Sequence, residues 1–259
     1  MPKLLVFTPT YGDGLLDATL DAVAALAFDG TLTPVISRYN PYPGKDMRNV
    51  TAQYQRGRQM VLDGDYDGLL CVEHDMIPPP HAAQTLWDDG APVVYGVYRL
   101  RHDTHVLNAW TRNGKRLGKP MSFYPGLIAQ ARRDGRIECA GLGFGCTLMR
   151  REVLQRITFR DESGNAPDTP FAKDCLRKGI QQIARFDVAC QHVENGIVLE
   201  AFADGGTASR VYALQDATLE MDSRPYVVER HRYYTVPPSV AATWAKAGHV
   251  RITSGQYAP

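Results

Sequence analysis

The chain has 259 residues, with 29 Lys and Arg against 28 Asp and Glu, so its formal charge is +1. With 44% hydrophobic and 22% charged residues, its composition is globular and excludes disordered, collagen-like and coiled-coil classes. The charge balance also excludes a whole-surface basic field that would draw nucleic acid or anionic membrane without specificity.

In chain order, Leu4 to Phe7 is a continuous apolar run that stops at Thr8-Pro9-Thr10, the pattern of a buried parallel strand opening into a loop. Residues 15–28 place apolar side chains at helical spacing and close on Asp29-Gly30. A strand over 33–37, a helix over 48–62 and an apolar strand over 68–72 follow. This alternation predicts an α/β sheet with helices on both faces. Pro78-Pro79-Pro80 stops the third strand from continuing, and a short helix is expected over 81–87, then a strand over 93–97. Residues 101–138 are polar with weak periodicity and read as an excursion from the sheet. Order resumes over 141–149, with helices over 152–156 and 171–179 and a last sheet strand over 183–189. Beyond residue 200 the pattern weakens to one helix over 239–247 and a β-rich 250–253. Residues 1–200 are therefore read as one domain, and 201–259 as a small C-terminal appendage.

The five cysteines, Cys71, Cys139, Cys146, Cys175 and Cys190, include no C-x-x-C pair. The first apolar run is too short for a signal peptide, and none reaches the ~18 residues of a membrane span. Reduced thiols, a cytoplasmic location and no membrane span are the expectation.

The informative segment is Gly68-Leu69-Leu70-Cys71-Val72-Glu73-His74-Asp75. Continued strand alternation would send Glu73 and Asp75 to one side and His74 to the other. Carboxylates beyond a buried parallel strand lie at the carboxyl edge of the sheet, where open α/β folds bind ligands. Such oxygen donors suit Mg²⁺ or Mn²⁺ bridging substrate phosphates. An acidic turn that merely ends a strand is the competing reading.

Four motifs in order resemble the GT-A nucleotide-sugar glycosyltransferases, most nearly the family 2-like group with many bacteriophage members. They are Val6-Phe7-Thr8-Pro9-Thr10-Tyr11, then Met47-Arg48-Asn49 with Asp65 to Asp75, then Gly143 to Arg151, and finally Pro167-Asp168-Thr169-Pro170-Phe171 running on to His192. The resemblance covers roughly residues 3–195 and implies a GT-A, Rossmann-like fold with a mixed, mostly parallel sheet flanked by helices. It makes Thr8, Pro9, Thr10 and Tyr11 the nucleotide-binding loop, and Glu73-His74-Asp75 the D-x-D metal motif with Glu in first place. Asp75 is then a direct ligand of Mn²⁺ or Mg²⁺, Glu73 a ligand or a contact to ribose or metal-bound water, and His192 a further ligand that favours manganese. Pro167 stands where the family often has Glu, which leaves Asp168 as the general base of an inverting transfer. A helix cap is its plainer role.

Arg48 is a candidate partner of the donor diphosphate, and helix arginines are also commonly just solvated. Gly141, Gly143 and Gly145 suggest close backbone approach to a sugar or acceptor. Arg99, Arg101, His102, Arg112, Lys115, Arg116 and Lys119 concentrate positive charge near Trp110, Phe123 and Tyr124. A second basic patch lies at Glu229 to Tyr234. Either could track a phosphate backbone or be a solvated loop. Bacteriophage members of the group include enzymes that glycosylate modified bases, which keeps DNA open as the acceptor. Two rival readings stand beside the transferase. A nucleotidyltransferase would need a basic Gly-rich loop, whereas residues 8–14 contain no Lys or Arg. A non-catalytic nucleic-acid or virion-binding protein would make the acidic strand end structural.

Overall fold

The computed structural model describes residues 1–10, 15–44, 46–100, 106–162, 166–194, 197–202, 207–221 and 224–254. It opens with β1 (Lys3–Pro9), α1 (Asp17–Ala24), β2 (Thr31–Ser37), α2 (Arg48–Asp63) and β3 (Gly68–Val72). A turn and the short β4 (Met76–Ile77) lead to α3 (Ala82–Asp88) and β5 (Val93–Val97). The expected excursion contains an ordered hairpin, β6 (Ala109–Asn113) and β7 (Arg116–Pro120), followed by α4 (Pro125–Asp134) and β8 (Arg136–Glu138). Then come β9 (Gly141–Leu142), β10 (Cys146–Arg150), α5 (Arg151–Arg156), α6 (Asp168–Arg177) and β11 (Gln182–Ala189).

The protein is a mixed α/β fold around a seven-stranded sheet of order β2-β1-β3-β10-β5-β11-β8. Strands β2, β1, β3, β5 and β11 run one way, and β10 and β8 run against them. Strand alternation divides the apolar runs between two faces. Leu4, Val6, Leu70, Val72 and Val94 pack with Ala82 and Leu86 of α3 on one face. Leu5, Phe7, Leu69, Cys71 and Val93 pack with Tyr54, Val61, Leu154 and Phe171 on the other. Both faces are covered, so the central strands are apolar at every position rather than at alternate ones. Each such side chain contributes ~1.5–3 kcal/mol through burial. All five cysteines are free and buried.

Strand β12 (Gln191–Glu194) pairs with β4 on one side and with β13 (Ile197–Leu199) on the other. The chain continues through β14 (Ser209–Ala213), β15 (Ala217–Met221), β16 (Arg224–Val228), β17 (Tyr233–Val236), α7 (Pro238–Lys246) and β18 (Val250–Ser254). These strands form the sheet β17-β14-β18 and the hairpin β15–β16. They enclose an apolar cluster of their own, with Val211, Val228, Val236, Ala241, Trp244 and Val250 buried. Four of these strands have no counterpart in the sequence-based expectation. Among the described residues no helix is long and apolar enough to cross a membrane.

Candidate active site

Strand β3 ends at Val72, and its alternation ends there too. Residues 73–75 form a turn closed by the Met76 N–H, which donates to the Glu73 carbonyl at 3.0 Å. The turn is held from three directions. The Glu73 N–H donates to the Gly145 carbonyl at 2.9 Å, Thr19 Oγ1 donates to the His74 carbonyl at 3.0 Å, and the Val193 N–H donates to the Asp75 carbonyl at 2.9 Å. The expectation that His74 opposes Asp75 therefore fails, since His74 Nε2 lies 3.7 Å from Asp75 Oδ2. Glu73 goes elsewhere. Its Oε1 accepts a 2.6 Å hydrogen bond from the hydroxyl of the buried Tyr54 on α2.

His192 reaches Asp75 because β12 pairs with β4, which sets His192 opposite Met76. Its Nδ1 lies 2.6 Å from the Arg99 carbonyl, so this nitrogen carries the proton and donates. Nε2 then bears the lone pair, and it faces Asp75 Oδ2 at 3.5 Å. Both side chains are buried. At this separation the two side chains are close enough to share a proton or a metal ion. Donors bound ~2.1 Å from one ion stand ~3–4 Å apart, so the pair fits a divalent ion as two of its ligands. Among the described residues there is no group of three or more His, Cys, Asp or Glu arranged to hold a metal. The remaining coordination positions would fall to substrate oxygens and water, the usual state of Mg²⁺-type sites.

Asp168 is the first residue of α6, which starts three residues earlier than expected, and the N-cap position is held by Pro167. Asp168 Oδ1 accepts from the Thr169 N–H at 2.6 Å. Burial raises its pKa to about 6, against the lowering effect of hydrogen bonds from the Thr169 N–H and side chain. It lines a pocket of about 170 Å³ with Trp110, Leu117, Gly141, Leu142, Thr169 and Ala172. A carboxyl group in this mostly apolar wall is less readily ionised than one in water.

Residues 143–145 join the two acidic places. The Gly145 N–H donates to Tyr98 Oη at 3.2 Å, and the Tyr98 ring stands edge-on to the His192 ring at 5.4 Å. Thr147 Oγ1 donates to the Gly143 carbonyl at 3.2 Å. Phe144 packs on Tyr54 at 4.9 Å and on Phe171 of α6 at 5.2 Å. One aromatic group thus touches both the helix that holds Glu73 and the helix that presents Asp168. The Cβ positions of these glycines are filled by the protein itself. A Cβ on Gly143 would lie 2.3 Å from Tyr98 Oη and 3.3 Å from Asp168 Oδ2. Gly141, at φ +150°, would meet the Ala172 Cβ at 2.3 Å.

The loop after β1 is built differently from the expectation. Thr8, Pro9 and Thr10 are buried, and Thr10 is consumed by the fold. Its hydroxyl donates to the Ser37 carbonyl at 3.0 Å, its N–H donates to Gln53 Oε1 at 3.2 Å, and its carbonyl accepts from Gln53 Nε2 at 2.8 Å. Tyr11 lies outside the described residues. Arg48 is occupied by Asp46 at 2.6 Å and lies over the Tyr42 ring at 4.2 Å. Sequence reasoning quoted Asn49 only as part of a motif and missed Gln53; both are buried amides. Asn49 braces the 42–44 loop through Tyr42, accepting from its N–H and donating to its carbonyl, both at 2.8 Å. Their signal was spacing, because two amides four residues apart share one helix face.

Of the basic residues, Arg99 is buried, and Arg101 and His102 lie outside the described residues. Arg112 pairs with Glu138 at 2.7 Å. In the second basic patch Arg232 pairs with Glu229 at 2.7 Å.

No protein-family model matches the chain, and no curated protein matches it. Among solved structures, A197 from STIV is similar over 77% of this chain and 90% of that one, at 20% identity and a TM-score of 0.53. This likeness is one of fold, the mostly parallel α/β sheet described above. Residues 1–349 of TarS from S. aureus are similar over 71% of this chain and 58% of that one, at 13% identity and a TM-score of 0.40. The same protein in complex with UDP-GlcNAc gives 71% and 56%, at 15% identity and 0.41.

Proposed function

We propose that the protein is a metal-dependent glycosyltransferase that moves a sugar from a nucleotide-diphosphate sugar to an acceptor hydroxyl with inversion. The observation that carries this reading is the convergence on residues 143–145 of two unlike acidic sites. Glu73, bonded to Gly145, opens the turn that holds Asp75, which faces His192 of β12, and the Asp168 carboxylate lies beside Gly143. Donor and acceptor chemistry need such a pair, one group facing the leaving diphosphate and the other the incoming hydroxyl. The motifs of the sequence support the same assignment.

Asp168, ionised above about pH 6, takes the proton of the acceptor hydroxyl. The acceptor oxygen bonds to the anomeric carbon from the face opposite the diphosphate. The bond from that carbon to the diphosphate oxygen breaks, and its electron pair leaves with the nucleoside diphosphate. Asp75 and His192 would hold Mn²⁺ or Mg²⁺, and the imidazole favours manganese. A divalent ion, if bound there, would supply charge to offset that of the departing diphosphate. Tyr54 keeps Glu73 oriented at the same edge through its 2.6 Å hydrogen bond.

Incubation with uridine, guanosine and cytidine diphosphate sugars and Mn²⁺ tests the reading. We expect EDTA-sensitive release of nucleoside diphosphate from one of them, abolished by Asp75→Ala. Turnover indifferent to both EDTA and Asp75→Ala would remove the metal from the account. A product with the donor's anomeric configuration would remove inversion.

A further inference from the structure

A groove of about 470 Å³ runs between the tip of the β6–β7 hairpin and helix α6, lined by Lys115, Arg116, Leu117, Arg160, Glu162, Lys173 and Arg177. Three separate parts of the chain supply its cations. Lys173 pairs with Glu162 at 3.2 Å, and Arg160 pairs with Asp174 at 3.1 Å. Arg177 also pairs with Asp174. Five cations thus face two carboxylates. Lys115 and Arg116 are exposed. Leu117 belongs both to this groove and to the Asp168 pocket, which Trp110 of the same hairpin also lines. The basic groove therefore opens beside an aromatic ring and the candidate base.

We propose that this groove binds the phosphate backbone of a single-stranded nucleic acid and delivers one nucleotide unit to the Asp168 pocket. The delivery rests on the transferase reading; the binding does not. A cationic track with an adjacent aromatic face is what single strands require, since phosphates follow the charge and bases stack on the ring. A lone phosphate would use only one end of the track. A duplex keeps its bases stacked inside and offers no unit to a pocket of about 170 Å³.

The test is fluorescence anisotropy with a labelled twelve-nucleotide oligo-dT, in EDTA and without donor. An excess of three positive charges predicts a slope of about −2 for log affinity against log salt, at ~0.7 per phosphate contact. Lys115→Glu with Arg116→Glu should weaken binding at least tenfold. Trp110→Ala should weaken it about tenfold without changing the slope. The milder Lys115→Gln with Arg116→Gln, checked for wild-type melting temperature, covers misfolding of the charge-reversed variant and should show a smaller loss of the same sign. Wild-type affinity in these variants, or equal affinity for duplex, overturns the proposal. So does competition by polyphosphate as strong as by unlabelled oligo-dT, which would mark a general polyanion surface. Mn²⁺-dependent nucleoside diphosphate binding is followed separately by calorimetry. Its absence with oligonucleotide binding intact overturns the transferase alone. The reverse result overturns the groove alone.

Discussion

Asp75 lies in a turn and Asp168 at the start of a helix, and residues 143–145 run between their surroundings. Asp75 sits in a turn after β3, with the Nε2 atoms of His192 and His74 at 3.5 and 3.7 Å. Asp168 begins a helix beside an apolar pocket, with Thr169 as its hydrogen-bond donor and a pKa pushed up to about 6. The first setting places a carboxylate beside two imidazoles. The second suits a carboxylate that gains and loses a proton near neutrality. In the proposed reaction it is the neighbours of each carboxylate that separate their roles.

The sharpest way to break this comparison is Asp168→Asn, which keeps an acceptor for the Thr169 N–H and removes the charge. Initial rates at pH 7.5 should fall ~10³-fold, within the range for loss of a general base. Stability should move the other way. The native pKa lies above the usual 3.8, so ionising Asp168 costs the folded state progressively as pH rises from 3.8 to about 6. At pH 7.5 the Asn variant should therefore be as stable as wild type or more so, by ~1–2 kcal/mol in urea unfolding. Marked destabilisation would make Asp168 a structural residue.

Asp75→Ala and His192→Ala should each weaken Mn²⁺-dependent binding of nucleoside diphosphate ~10–100-fold by calorimetry. Binding in EDTA should not change. If EDTA binding falls equally, the pair contacts the nucleotide directly. The pH profile sharpens the comparison further. kcat/KM should rise about tenfold per pH unit below about pH 6 and level off above it, as the base ionises. Asp168→Asn should flatten this limb; a limb that survives belongs to another group.

A smaller effect tests the spacer between the two acids. Gly143→Ala places a methyl group against Tyr98 Oη and should cost ~1–3 kcal/mol in thermal unfolding. Adding Tyr98→Phe should recover part of that loss. Additive losses would mean the two positions are not in contact. The smallest effect is expected of Tyr54→Phe, which removes the donor to Glu73 and should cost ~1 kcal/mol of stability.

The strands that form the centre of the sheet were legible because burial on both faces leaves continuous apolar runs such as Leu4 to Phe7 and Val93 to Val97. Strand β3 was bounded correctly by the same logic. The alternation argument then overran it, because a turn, not a strand, carries Glu73 to Asp75. Strands such as β4, β12 and those of the C-terminal region are two to five residues long. They carry polar residues like Gln191 and His192, so pairing partners rather than local pattern define them. Asp75, His192 and Asp168 were singled out through motif order; that His192 faces Asp75 depends on the β4–β12 register. Thr10 looked like a nucleotide contact because its use by Gln53, 43 residues on, leaves no local trace. The basic groove was half legible. Lys115 and Arg116 stood out in sequence, while Arg160, Lys173 and Arg177 join them only through the packing of α6 on β7.

The central claim is that the cation belongs to Asp75 and His192 and the proton to Asp168. Electron paramagnetic resonance of Mn²⁺, titrated with protein and nucleoside diphosphate, tests it most directly. Wild type and Asp168→Asn should deplete the free Mn²⁺ signal with the same affinity, whereas Asp75→Ala should leave it free. Equal depletion by Asp75→Ala, or its loss in Asp168→Asn, would contradict the division of roles.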